Sequence, residues 1–136
     1  MADENETFRM LIEAARSASR KTYSPYSRYA VGSAVLTHDG RLFTGCNVEN
    51  ASYGATICAE RTALVKAVSE GFTRFKAIAI VCGNAHDCWP CGICRQFICE
   101  FGTDIEVLVE GKDGAIKALR LAELLPHHFG PEHLSR

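Results

Sequence analysis

Three cysteines and one glutamate carry the strongest chemical signal in this chain. They lie in two segments, Cys58-Ala59-Glu60 and Pro90-Cys91-Gly92-Ile93-Cys94. Each segment falls where a strand or loop is expected to give way to a helix. A helix N-terminus carries about half a positive charge and unpaired N–H groups, so a thiol placed there loses its proton more readily. Three thiolates converging from two helices would fill three corners of a tetrahedral zinc site. A fourth corner open to water marks a catalytic rather than a structural ion. Cys58 and Glu60 are two residues apart and diverge by about 200° around a helix. They can serve one centre only if it lies off the helix end, where two N-termini meet. Glu60 would then sit beside the ion without ligating it, placed to move a proton.

Zinc with three thiolates carries a net charge of about -1, which weakens it as a Lewis acid. Something positive must offset this. The two helix dipoles contribute, and Arg61 and Arg95, each adjacent to a site residue, are expected to donate hydrogen bonds to the sulfurs. Arg61 is the stronger candidate because it lies in the first helical turn. The alternative for both is an ordinary salt bridge or a solvated side chain.

Seven cysteines in all, at 46, 58, 82, 88, 91, 94 and 99, make an odd number without a secretory segment. In a reducing compartment such residues are packed, metal-bound or catalytic more often than disulfide-paired. Packing accounts for Cys46, Cys82 and Cys99. Cys88, Cys91 and Cys94 also spell Cys-x-x-Cys-x-x-Cys, which invites an iron–sulfur reading. The ferredoxin run needs its next cysteine four residues on, followed by proline; here Cys99 is five on and Glu100 follows. A closed structural zinc with Cys88 as fourth ligand would leave Glu60 without a role.

The elements that must position these residues follow from apolar spacing. Phe8, Leu11, Ile12, Ala15 and Ala18 predict an amphipathic helix over 7–20, ended by Tyr23-Ser-Pro-Tyr-Ser. Two strands, 28–37 and 41–48, flank the turn His38-Asp39-Gly40 and read as a hairpin. Residues 49–57 are small and polar, a loop. From Cys58 a stripe of Ala59, Ala63, Leu64, Ala67 and Val68 predicts a helix that stops at Gly71. A buried strand covers 76–82, a second helix 91–101, two strands 104–109 and 115–120, and a short helix 121–125. The order α-β-β-α-β-α-β-β-α predicts a three-layer α-β-α sandwich around a five-stranded mixed sheet.

Composition narrows the function. A chain of 136 residues, 47% hydrophobic, is the size of one ordinary domain, here taken as 1–136, and buries enough surface to fold without staples. Fifteen Lys+Arg against sixteen Asp+Glu leave no basic excess for a nucleic-acid backbone. The longest apolar run, Ala77 to Cys82, is far short of the roughly 20 residues a membrane span needs. The acidic first residues are the opposite of a signal peptide. A soluble, cytoplasmic protein with neither nucleic acid nor membrane as partner is therefore expected. No Gly-x-Gly-x-x-Gly, no phosphate-binding loop and no Ser-His-Asp set is present. His127 and His128 are adjacent and so are poorly placed to face one metal; exposure or interface packing is expected of them.

The residues resemble a family, the small homotetrameric cytidine deaminases. The resemblance runs over roughly residues 7–129. It includes Tyr23-Ser-Pro-Tyr-Ser, Val31-Gly-Ser-Ala, Gly45-Cys-Asn-Val-Glu-Asn-Ala-Ser-Tyr, Cys58-Ala-Glu-Arg-Thr-Ala, Pro90-Cys-Gly-Ile-Cys-Arg-Gln and Glu123-Leu-Leu-Pro. It implies one zinc per subunit on Cys58, Cys91 and Cys94, with Glu60 as proton shuttle. It implies that Asn47 and Glu49 bind the ribose 3′-hydroxyl and that the Ala59 N–H meets the base carbonyl. Tyr29 would line the base pocket, while Phe129, Ala51 and Tyr53 would reach a site across a subunit interface. Two departures stand out: Tyr29 replaces an expected Phe, and Trp89 replaces a small residue before Pro-Cys.

The resemblance implies hydrolytic deamination of cytidine and 2′-deoxycytidine in pyrimidine salvage. Three other readings remain: a related aminohydrolase acting on a cytosine-bearing antibiotic, a non-catalytic zinc-binding module, and a nucleic-acid editing enzyme, against which the balanced charge and short loops argue. On the bland readings, Asn47 and Glu49 are turn residues and Tyr29 and Phe129 are core aromatics.

Overall fold

A computed structural model describes residues 3–134. Helix α1 spans Glu4–Ser19 and starts before the apolar stripe does. Its first turn is set by polar groups: the Asp3 carboxylate accepts from the Glu6 N–H at 2.8 Å, and Glu4 and Glu6 place negative charge on the helix start. Strands β1 (Val31–Thr37) and β2 (Leu42–Cys46) form the expected antiparallel hairpin, in register from Gly32 opposite Cys46 to Leu36 opposite Leu42. Residues 28–30 stay outside β1, where Arg28 adopts φ 57°. The loop at 49–57 carries one 3₁₀ turn, Tyr53–Ala55.

Helix α2 spans Ala59–Ser69, followed by β3 (Phe75–Cys82), α3 (Gly92–Cys99), β4 (Glu106–Glu110), β5 (Ile116–Arg120), α4 (Leu121–Leu124) and a 3₁₀ turn at Pro131–His133. The strands line up as β2-β1-β3-β4-β5. Only β3 and β4 run parallel; α3 lies within the connection between them, as a parallel pair requires.

Strand alternation sorts the core into two halves. Ala34, Leu36, Ala77, Ala79, Val81 and Leu108 meet Leu11, Ile12 and Ala15 of α1 on one face. Val35, Ile78, Ile80, Val107 and Val109 meet Ala63, Leu64 and Ala67 of α2, Ile98 of α3 and Leu121 of α4 on the other. The result is the three-layer α-β-α arrangement around a five-stranded mixed sheet. Among the described residues, no helix is long and apolar enough to cross a membrane.

Two glycines let helices approach the hairpin at backbone distance. A Cβ on Gly32 would lie 1.9 Å from the Ala15 carbonyl oxygen of α1. One on Gly45 would lie 2.5 Å from the Ala63 nitrogen and 2.9 Å from the Ala59 oxygen of α2. Gly45 thus sets how closely the first turns of α2, with Glu60, lie against β2. Backbone cannot swing aside as a side chain can, so Gly45→Ala should cost about 2 kcal/mol or more. Urea unfolding checks this, with Gly54→Ala as the control, since a Cβ there meets nothing within 4 Å. Equal stability of the two variants would contradict it.

Candidate active site

Cys58 and Cys91 are the N-cap residues of α2 and α3, and neither thiol makes a capping hydrogen bond. N-caps are ordinarily Ser, Thr, Asp or Asn, whose oxygens satisfy the free N–H groups. A cysteine there, with its sulfur uncommitted, has its sulfur available to a metal. Cys94 is the third residue of α3, fully buried. The three Sγ atoms lie within 4.8 Å of one another. Tetrahedral zinc with bonds of about 2.3 Å sets its sulfurs about 3.8 Å apart, so the set fits that ion.

The charges around the sulfurs are arranged to hold anions. A hydrogen bond from the Cys94 thiol, with the Arg61 guanidinium helping against burial, draws the Cys58 thiol down to about 5. Cys94, the donor in that pair, is pushed the other way. Arg61 Nη2 lies 3.6 Å from Cys58 Sγ and 3.5 Å from the Thr56 carbonyl oxygen, and its Nε is buried without a partner. Arg61 therefore stands where the sequence places it. Arg95 does not serve the sulfurs in the same way. Its Nε donates to the Pro90 carbonyl at 2.7 Å and its Nη1 to the Leu124 carbonyl at 2.9 Å. It clamps the segment before α3 to the end of α4, because those carbonyls lie nearer its fork than any thiolate.

Glu60 is 4% exposed. Burial, reinforced by the charge of Cys58, lifts its carboxyl to about 7. In metal-free protein this makes a pH signature. The folded value lies above the unfolded one, so the group stabilises the fold below about pH 4.5, and that contribution is lost as pH rises through about 7. Unfolding free energy of metal-free protein should therefore fall across that window relative to Glu60→Gln, by on the order of 3 kcal/mol. Parallel curves for the two proteins would show that the carboxyl is not held this way.

These residues border a cleft of about 340 Å³, within the range of small-molecule sites. Cys58, Ala59, Glu60 and Cys91 line it together with Tyr29, Asn47, Glu49 and Trp89. Ala59 opens α2, so its N–H has no acceptor within the helix. Asn47 is buried. Its Nδ2 donates to the Tyr29 carbonyl at 2.7 Å, and its Oδ1 accepts from the Val31 N–H at 3.0 Å and from the Thr22 hydroxyl. Glu49 Oε1 accepts from the N–H groups of Tyr26 and Ser27 at 2.9 and 3.1 Å, and its Oε2 accepts from the Ser27 hydroxyl. The Ser27 hydroxyl and these N–H groups hold its carboxyl below the usual carboxylate range. The Tyr29 hydroxyl lies 3.9 Å from Cys88 Sγ.

Three expected contacts lie elsewhere. Ala51 and Tyr53 are exposed on the loop before α2. Tyr53, 75% exposed, packs edge-on to Tyr26 and borders a separate recess that shares Ser27, Glu49 and Thr56 with the cleft. Phe129 is 58% exposed, and its ring stacks on His133. None of the three lines the cleft. Sequence reading passed over Thr22, Ser27 and Thr56. A lone hydroxyl residue has no spacing signature, and these gain meaning only from partners 22 to 25 residues away in sequence or from the cleft they border.

Three sulfurs that can hold an ion and leave it a free position, with a buried carboxylate titrating near neutrality in the same cleft, are the equipment of a zinc-dependent hydrolase. Comparison with known proteins narrows that class. The chain belongs to the cytidine and deoxycytidylate deaminase family, whose zinc-binding region matches residues 5–110. It is 44% identical over 126 residues to the cytidine deaminase of Sporosarcina psychrophila, covering 92% of this chain and 93% of that one. It is 47% identical over 131 residues to a probable cytidine deaminase of Dictyostelium discoideum, covering 95% and 88%. The crystal structure of cytidine deaminase from Burkholderia pseudomallei superposes with a TM-score of 0.84 at 46% identity, covering 89% of this chain and 98% of that one.

Proposed function

We propose that this chain is a zinc-dependent deaminase of free cytidine and 2′-deoxycytidine, yielding uridine or deoxyuridine and ammonia in pyrimidine salvage. The observation that carries the reading is the junction of two helix starts, where three sulfurs gather beside a buried glutamate and two of those cysteines, Cys58 and Cys91, line the same cleft as the glutamate. The family and the relatives' names support the base.

Cys58, Cys91 and Cys94 hold the ion, one per chain, which when bound supplies Lewis-acid activation of the attacking water. Arg61 steadies the Cys58 thiolate and offsets part of the negative charge that three sulfurs bring. Glu60 takes a proton from the water as oxygen attacks C4 of the pyrimidine. It delivers that proton to the ring nitrogen, then takes the second proton from the new C4 hydroxyl and passes it to the amine, so the C4–N bond breaks, ammonia leaves and the C4 carbonyl of uridine remains. A buried carboxyl that holds its proton more tightly than in water, as this one does before an ion binds, suits both directions of transfer. The Ala59 N–H meets the base carbonyl, and the Tyr29 ring lies against the base.

Asn47 and Glu49 address the ribose 3′-hydroxyl. The bonds of Asn47 to Thr22, Tyr29 and Val31, and of Glu49 to Tyr26 and Ser27, fix both side chains before substrate arrives. The chain 1–136 acts as one catalytic domain in a cytoplasmic homotetramer. Phe129, Ala51 and Tyr53 complete a neighbouring subunit's site, which accounts for two aromatic rings left exposed outside the cleft. Turnover of cytidine, 2′-deoxycytidine, free cytosine and a cytosine-bearing antibiotic nucleoside tests the reading. Both nucleosides should react, and cytosine should be poor because Asn47 and Glu49 then have no hydroxyl to pair with. A zinc-loaded protein that leaves cytidine unchanged would overturn it.

A further inference from the structure

A second constellation of metal-ligating side chains lies in the C-terminal segment. His128, Glu132 and His133 each offer one ligand atom, and these atoms lie within 4.8 Å of one another. His128 Nε2 is 3.1 Å and His133 Nδ1 is 3.3 Å from the same oxygen, Oε1 of Glu132. Tetrahedral zinc with bonds of about 2.0–2.1 Å sets adjacent ligand atoms about 3.4 Å apart. The two measured edges match that spacing. Without an ion the same contacts serve as a hydrogen bond from His128 and an ion-pair contact from His133.

The local backbone builds the arrangement. The 3₁₀ turn Pro131–His133 brings residue 133 back beside residue 128, and the two rings meet edge to face at 5.7 Å. A Cβ on Gly130 would lie 2.1 Å from Glu132 Oε1, so only glycine leaves that oxygen its present place. His133 Nδ1 accepts from the Gly130 N–H at 3.0 Å. That nitrogen has one lone pair, so an ion takes the place of this hydrogen bond when it binds. His127, next along the chain, has no part in the cluster, which explains why adjacency in sequence misleads here; the set is spaced 128, 132, 133.

We propose that His128, Glu132 and His133 form a second divalent-metal site for an ion of the zinc class, apart from the cysteine centre. Two imidazoles and one carboxylate suit that class and leave a fourth position to water. An ion here ties the residues on both sides of Phe129 to one point. His128 and Glu132 are 25% and 58% exposed at the side chain, and His133 is 47%. In the single chain an ion can therefore reach the cluster.

Cobalt(II) titration of protein whose cysteine centre is already loaded with zinc tests this. One further equivalent should bind and give the visible absorption of tetrahedral cobalt without thiolate-to-metal charge transfer, which only the cysteine site would produce. Loss of one ligand should weaken binding on the order of tenfold or more. That applies to His128→Ala, Glu132→Gln and His133→Ala, while His127→Ala binds as wild type. No second equivalent, or a second equivalent unaffected by all three substitutions, would overturn the proposal. Nucleoside turnover is not the readout, so failure here leaves the deaminase reading untouched, and failure of that reading leaves this one testable.

Discussion

Glu60→Gln should keep its zinc and lose about three orders of magnitude in kcat. The amide is nearly the same size as the carboxyl, so the packing of α2 against the sheet is preserved around a side chain only 4% exposed. What disappears is a group that can take up and give back a proton, and positioned acid–base catalysis contributes typically about 10²–10⁴-fold. The ligands Cys58, Cys91 and Cys94 are untouched, so metal content measured after dialysis should match wild type. Removing the carboxyl also removes the burial cost seen near neutral pH, so the variant should be no less stable than wild type at pH 8. Turnover within about tenfold of wild type would mean that another group moves the proton.

Cys94→Ala should abolish both zinc retention and turnover. Cys94 is the buried member of the three, and its thiol is the hydrogen-bond partner that draws the Cys58 thiol down. Without it two sulfurs remain, and one of the two thiols that face Arg61 is lost at the spot where its Nε already lacks a partner. Affinity for zinc should fall by at least about a hundredfold, and cobalt-substituted protein should lose most of its thiolate absorption. Cys99→Ala is the matched control. That cysteine is also buried, within the core beside Ile98, so its loss should lower stability while leaving metal content intact. Full zinc occupancy in Cys94→Ala would break the assignment of ligands.

The parts of this molecule that chemistry writes into short stretches of sequence could be read directly. Cys58 and Cys91 stand at helix starts in the chain and in the fold, because apolar spacing locates a helix and thiols advertise themselves by type. All five strands are legible as short apolar or β-branched runs beside turn signals. What escaped depends on distant partners. The β1 strand does not begin at residue 28, since Arg28 takes a left-handed turn and residues 29 and 31 are tied to Asn47. Helix α1 begins in a polar turn that no hydrophobic pattern reports, and its start is set by a capping bond. The partners of Arg95 are two carbonyls supplied by Pro90 and by α4. Which acceptor lies nearest an arginine is decided by how helices settle, and neighbouring letters do not record it.

The start of β1, the first turn of α2 and the segment that leads into α3 as far as Cys91 contribute to the cleft from stretches far apart along the chain, joined through the pairing of β1 with β3. During synthesis Cys58 emerges well before Cys91 and Cys94. Until the later pair has left the ribosome, the nascent protein holds one of the three sulfurs of this set and no cage. The metal centre is therefore completed late in the making of each molecule, once both later cysteines have joined the first.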